Sequence, residues 1–298
     1  MVSATGCLSA DDVPLILDFD GSVALPGAAT VVNLSHWQQR IRFGCRWSDW
    51  RRLKSELSIP LSVPHGCVFT GSGDYHHLSY LLLQHLPADR PLQLIICDNH
   101  PDNMRYPFGI HCGSWVYHAS RLPQVSAIHV LGICSQDIAI HHAWENHLSP
   151  LITHKLHYWS IGVDAGWLNW IGGTRCHHRF ENPDDLMATF LQQMGPLPVY
   201  LSLDKDVLSR RVVQTNWDQG CFEVNHLQAL IDACAQRLVG MDITGEVSSC
   251  LYHSRFKRWL SAADGQQPLA PAQIAEWQLG QNQLNERLLA FLSRSLRR

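Results

Sequence analysis

Residues 96–103 read ICDNHPDN, and Asp98, His100 and Asp102 stand two apart directly after the apolar run Leu94, Ile95, Ile96 and Cys97. Side chains of an extended chain alternate between faces, so carboxylate, imidazole and carboxylate point one way while Asn99 and Pro101 point the other. That is a converging set of metal-donor types. Taken alone, the stretch equally suits a polar turn that closes a buried strand, where Asp, Asn and Pro are common. A second pair tips the balance: YLSLDKDV places Asp204 and Asp206 two apart at another strand end. Two carboxylates aimed one way repel unless a proton or a cation lies between them. Five oxygen and imidazole donors without a thiolate suit a divalent pair such as manganese.

The elements that must carry these residues are short apolar runs closed by turns, with longer amphipathic stretches between them. The runs are LILDF (15–19), CVFT (67–70), LQLIIC (92–97), AIHVLGI (127–133), PVYLSL (198–203) and RLVGMDI (237–243). Their apolar character is continuous rather than alternating, as strands covered on both faces require. The alternation of run and amphipathic stretch predicts a three-layer α/β/α fold around a mainly parallel sheet. Five runs are followed by polar groups (GSGDYHH, DNHPD, CSQD, DKD and TGE), and in such sheets ligands bind outside the carboxyl ends of the strands. Residues 271–298 have helical apolar spacing and a basic end suited to a helix C-terminus. The segment 145–185, rich in Trp, His and Gly, reads as an irregular insertion in one domain covering residues 1–298.

Composition narrows the class. The 298 residues carry a formal charge of -3, which offers no basic field for nucleic acid or an anionic membrane. The ten cysteines include no Cys-x-x-Cys pair, and several lie in apolar runs, so most read as reduced thiols of a cytoplasmic protein. No stretch near the N-terminus reads as a signal peptide or a membrane span. The expected partner is a small-molecule substrate, with self-association into a homo-oligomer left open. Eighteen histidines favour a metal or proton-transfer site.

In combination the motifs resemble those of the arginase–agmatinase (ureohydrolase) family. CDNHPD is similar to its Asp-x-His-x-Asp motif, SLDKD to its Ser-x-Asp-x-Asp motif and, more loosely, GSGDYHH to its Gly-Gly-Asp-His motif. The resemblance spans about residues 65–250. It implies two manganese ions bridged by Asp98 and Asp204, one completed by Asp102 and a histidine, the other by His100 and Asp206. His76 fits the histidine better than His77. His111, in GIHCGSW, resembles the family's proton-shuttling histidine. Glu246, in MDITGE, resembles the glutamate that holds the substrate's guanidinium, although it lies one residue further along. The implied activity is hydrolysis of a carbon–nitrogen bond in a guanidino, amidine or related amide.

Two departures and two rivals stand beside this reading. Lys205 occupies a position that is usually apolar, and Ser209 replaces an aspartate. LILDFDGSV resembles the nucleophile motif of haloacid-dehalogenase-type phosphatases, with Asp18 attacking phosphorus, Asp20 as acid and Thr70 in the second motif. That scheme leaves DNHPD without a purpose. The shifted Glu246 motivates the other rival, a pseudo-enzyme that keeps the metals and has lost hydrolysis.

Overall fold

The computed structural model describes residues 6–173, 175–255, 257–258 and 269–298. Its strands are β1 (Leu15–Asp18), β2 (Thr30–Asn33), β3 (Gly44–Cys45), β4 (Val68–Ser72), β5 (Leu92–Cys97), β6 (Ile110–His111), β7 (Val125–Ile133), β8 (Leu156–Ile161), β9 (His177–Phe180), β10 (Val199–Asp204) and β11 (Leu238–Glu246). Nine of them form one sheet in the order β2-β1-β4-β11-β10-β5-β7-β8-β9. Every pairing in it is parallel. β3 and β6 make a separate antiparallel pair that sets Gly44 opposite His111.

The alternation of side chains sorts the core into two halves. Leu15, Leu17, Leu94 and Ile96 pack into one apolar cluster with Leu53 and Leu57 of the helix Trp47–Leu57 and with Leu81 of the helix Leu78–Leu83. Ile16, Ile95, Cys97, Leu201 and Leu203 pack into the other, with Phe190, Leu230 and Leu288 from the helices Pro183–Gln193, Val224–Cys234 and Pro271–Leu296. Helices therefore cover both faces, and the architecture is the expected three-layer α/β/α sandwich. Truncating a central side chain such as Leu94 or Leu201 to alanine costs about 2–5 kcal/mol, because the packed neighbours cannot close the cavity.

The segment 145–185 differs from its reading as an irregular insertion. It supplies β8 and β9, which extend the sheet beyond β7. In both strands apolar residues are interleaved with histidine, and the outermost, β9, leaves its side chains partly exposed. Neither strand shows the continuous apolar run of a central strand. β2 escapes detection for the same reason: it is a largely exposed edge. The helix expected at the C-terminus forms over Pro271–Leu296. No helix among the described residues is long and apolar enough to cross a membrane.

Candidate metal centre

The central strands β4, β11, β10 and β5 deliver their carboxyl ends to one crevice, which is where the fold gathers the polar residues. After β4, the Ser72 hydroxyl accepts from the Asp74 amide and starts a single 3-10 turn that ends at His76. After β10, an oxygen of Asp204 accepts from the Asp206 amide at 3.1 Å, so that both aspartates stay on the crevice side. After β5, Asp102 adopts a left-handed backbone (φ +46°), a conformation Asp tolerates better than most residues. The Trp115 indole holds it there by donating to Asp102 Oδ2 at 2.6 Å.

Two groups of donors result. His76 Nδ1 lies 2.9 Å from Asp102 Oδ2, 3.1 Å from Asp98 Oδ2 and 3.5 Å from Asp204 Oδ2. His100 Nδ1 lies 2.9 Å from Asp206 Oδ2 and 3.5 Å from Asp98 Oδ1. Asp98 thus turns one oxygen to each group. Donors about 2.1 Å from a shared ion and at right angles around it are about 3 Å apart, which is the spacing found here. His76 and His100 each belong to a cluster of side chains whose donor atoms all lie within 4.8 Å of one another.

Hydrogen bonds behind the donors fix their lone pairs. His76 Nε2 is 3.0 Å from the Ser202 hydroxyl, which is committed to Asp242 at 2.8 Å. Asp242 also accepts from Ser79 and Tyr200, so the chain of donors is satisfied when His76 carries its proton on Nε2. His100 Nε2 faces Asp218 Oδ1 at 2.9 Å in the same way. Both Nδ1 lone pairs then face carboxylate oxygens, and Asp98 Oδ2 is buried with no hydrogen bond of its own. Acceptor facing acceptor needs a cation or a proton between.

In the metal-free chain protons fill that role. Burial, with Asp98 beside it, pushes the Asp102 carboxyl up to about 7. Burial, eased by His76 and reinforced by Asp98, raises Asp204 to about 6. Burial and the neighbouring Asp204 and Asp98 drive Asp206 well above the ordinary carboxylate range. For His76 and His100 burial works the other way, yet the facing carboxylates outweigh it and raise both imidazoles. Of the six donors only Asp98 moves down, because the two imidazoles overcome its burial. Four buried carboxylates and two neutral imidazoles match the charge of two divalent ions, and the residues present fit a binuclear centre.

Above this floor lies a cavity of about 430 Å³, lined on its walls by His111, Asp137, His142 and Glu145. His111 is placed by the β3–β6 pair and packs edge-on against Phe43. Its Nδ1 accepts from the Gly113 amide at 3.0 Å, leaving Nε2 for the proton. Burial lowers its pKa to about 4, so the ring is neutral. Glu145 Oε1 accepts from His142 Nδ1 at 2.9 Å.

Glu246, assigned to the substrate from its position in the sequence, is not brought to this cavity. It is fully buried, ion-paired with Lys205 and bonded by Asn285 at 2.8 Å. The extra residue in MDITGE is a β-bulge: β11 pairs Gly71 with Thr244 and Ser72 with Glu246, leaving Gly245 out of register at φ +90°. A side chain at Gly245 would begin 2.5 Å from Asp204 Oδ1, so only glycine fits beside that donor. The bulge re-aims Glu246 toward Lys205, which explains the cation at a usually apolar position. Of the two histidines in GSGDYHH, His76 joins the carboxylates while His77 packs beside Trp50. Asp18 accepts from the Gly21 amide and closes a turn, and Asp20 is held by Ser248 and Ser22, facing Arg42. Neither lines the cavity, which removes the basis of the phosphatase reading. Asp218, Trp115 and Asp242 orient the donors; the sequence reading assigns none of them a role, although Trp115 stands in GIHCGSW and Asp242 in MDITGE.

No protein-family model matches the sequence. An uncharacterized protein of Thermotoga maritima is 28% identical over 182 residues, 61% of this chain and 58% of that one, so the shared region spans little more than half of that relative. Among solved structures, proclavaminate amidino hydrolase from Streptomyces clavuligerus superposes with a TM-score of 0.57 at 18% identity, covering 97% of this chain and 94% of that one. Agmatine ureohydrolase of Thermoplasma volcanium gives 0.55 at 12% identity, covering 99% and 93%. Arginase from Bacillus subtilis gives 0.54 at 13% identity, covering 95% and 98%. The parallel sheet with candidate donors at its carboxyl edge is therefore of the three-layer α/β/α class. More narrowly, the chain has the arginase–agmatinase (ureohydrolase) fold, as a divergent example of it.

Proposed function

We propose that the protein is a binuclear, manganese-dependent hydrolase of a carbon–nitrogen bond in a small guanidino or amidine substrate. The observation that carries this reading is Asp98, whose two oxygens face two different imidazole–carboxylate groups. His76, Asp98, Asp102 and Asp204 would hold one ion; Asp98, His100, Asp204 and Asp206 would hold the other. Divalent ions held by these residues would lower the pKa of bound water toward neutrality and offset developing negative charge. The amidine carbon enters from the cavity above. His111, neutral, with its proton on Nε2 and lining the same cavity, would pass a proton to the departing nitrogen. With Glu246 committed to Lys205, a cationic substrate group meets Asp137 and Glu145 on the cavity wall.

The buried Lys205–Glu246 pair also favours a second reading, a metal-binding protein without turnover. Manganese-loaded protein assayed against a panel of guanidino compounds, amidines and neutral amides separates the two. Turnover of a cationic member, abolished by chelator and lowered by orders of magnitude in His100→Ala, supports the hydrolase. Two ions per chain with no turnover on any member would replace it with the binding protein.

A further inference from the structure

Cys134 follows β7, and Cys221 lies between β10 and the helix Val224–Cys234. Their sulfurs are 3.6 Å apart, and both residues are half-buried. Packing around the turn after β10 brings them together. Gly132, at φ +97°, lies so close to Val207 that a Cβ there would meet its side chain at 2.4 Å. On the other side, the amides of Gly220 and Phe222 donate to the carbonyls of Asp206 and Val207 at 2.7 and 3.0 Å. Backbone contacts to one turn thus fix the distance between the thiols.

The same two segments brace Asn99, the residue between the donors Asp98 and His100. Its Oδ1 accepts from the Cys134 amide at 3.2 Å, and its carbonyl accepts from the Ser135 amide at 3.2 Å. Its Nδ2 donates to the carbonyl and carboxylate of Asp218, at 3.1 and 2.9 Å. Its own amide donates to Asp206 Oδ1 at 3.0 Å. A disulfide requires a sulfur separation of about 2.05 Å, so the sulfurs must close by about 1.5 Å, through rotation of the two side chains and a shift of the segments that hold Asn99.

We propose that Cys134 and Cys221 are an oxidative modification site, a dithiol that a hydroperoxide converts to a disulfide and that is coupled to the metal centre through Asn99. The contact between the thiols lowers the pKa of Cys221 and raises that of Cys134, which makes Cys221 the attacking sulfur. Its thiolate displaces hydroxide from hydrogen peroxide, forming a sulfur–oxygen bond as the oxygen–oxygen bond breaks. Cys134 loses its proton and attacks that sulfur; the disulfide forms, the sulfur–oxygen bond breaks and the oxygen leaves as water. Two thiols lose two electrons, and one peroxide becomes two waters.

The test uses the full-length, reduced, manganese-loaded protein with hydrogen peroxide, followed by alkylation of the remaining thiols and peptide mapping without reductant. The expected result is a peptide linking Cys134 to Cys221. Cys134→Ser should instead trap a sulfenic acid at Cys221, detectable with dimedone. The oxidised protein should hold manganese about 10-fold to 100-fold less tightly, as when a group supporting a metal ligand is removed, and reductant should restore it. Cys134→Ser treated in the same way should keep its unoxidised affinity. Full alkylation of both cysteines after peroxide, or a first sulfenic acid at another residue, would overturn the modification site. A complete disulfide with unchanged manganese affinity would overturn the coupling, and neither result depends on the hydrolytic substrate.

Discussion

Glu246→Gln distinguishes a structural glutamate from one that holds the substrate. The side chain is fully buried, its Oε1 is ion-paired with Lys205 and bonded by Asn285, and Lys205 is itself without exposure. Glutamine keeps the shape and one acceptor but removes the charge, leaving a buried ammonium with no counter-ion. Burial lowers the Lys205 pKa and Glu246 opposes that shift, so the cation depends on this carboxylate. Removing one partner of a buried pair costs about 3–5 kcal/mol. With a urea slope of about 3 kcal/mol per molar, the unfolding midpoint falls by about 1–1.7 M. The double variant Lys205→Met with Glu246→Leu removes both charges and should recover most of that loss. Urea unfolding followed by circular dichroism gives the stability, and kcat/KM of the manganese-loaded protein gives the catalytic effect. Unchanged stability together with a fall of one to two decades in kcat/KM at full metal content would refute the argument and return Glu246 to the substrate.

Two further outcomes follow from the centre and its rival. In metal-free protein the pKa values of Asp102, Asp204, Asp206, His76 and His100 are all raised on folding, so this centre binds more protons folded than unfolded, while burial lowers His77, His111, His118, His129 and His178 and works the other way for the rest of the chain. The centre's own contribution to metal-free stability therefore falls as pH rises from about 5 to about 8, and manganese, which displaces those protons, stabilises more as pH rises; the manganese-induced shift in thermal melts, taken against chelator at each pH so that the histidines outside the centre cancel, checks the sign. Asp18→Asn removes a charge while keeping the oxygen that closes the turn, and should leave any hydrolytic rate within a few-fold, whereas His100→Ala should lower it by orders of magnitude; steady-state assays showing the reverse would revive the phosphatase chemistry.

What could be read from the sequence was whatever repeats at short range. Asp98, His100 and Asp102 are legible because donor types two apart follow a buried apolar run, although β5 ends at Cys97 and the left-handed backbone at Asp102, not strand alternation, turns that carboxylate back to the crevice; the continuous apolar runs of β5, β10 and β11 mark strands covered on both faces. Glu246 lies away from the cavity because one inserted glycine, Gly245, turns a regular strand end into a bulge, and a bulge leaves no periodic mark in the sequence. β8 and β9 were hidden because histidines interrupt their apolar residues at the edge of the sheet. Trp115, Asp218 and Asp242 orient donors that lie 13, 118 and, through Ser202, 166 positions away in the chain; single residues at such separations carry no spacing to read.

The most direct measurement is the metal content of purified, manganese-loaded wild type and Asp98→Ala, determined by elemental analysis after exhaustive dialysis. Asp98 is the carboxylate that faces both imidazoles, so the account predicts two ions per chain in the wild type and the loss of both in the variant. One ion per wild-type chain, or two retained by Asp98→Ala, would contradict it.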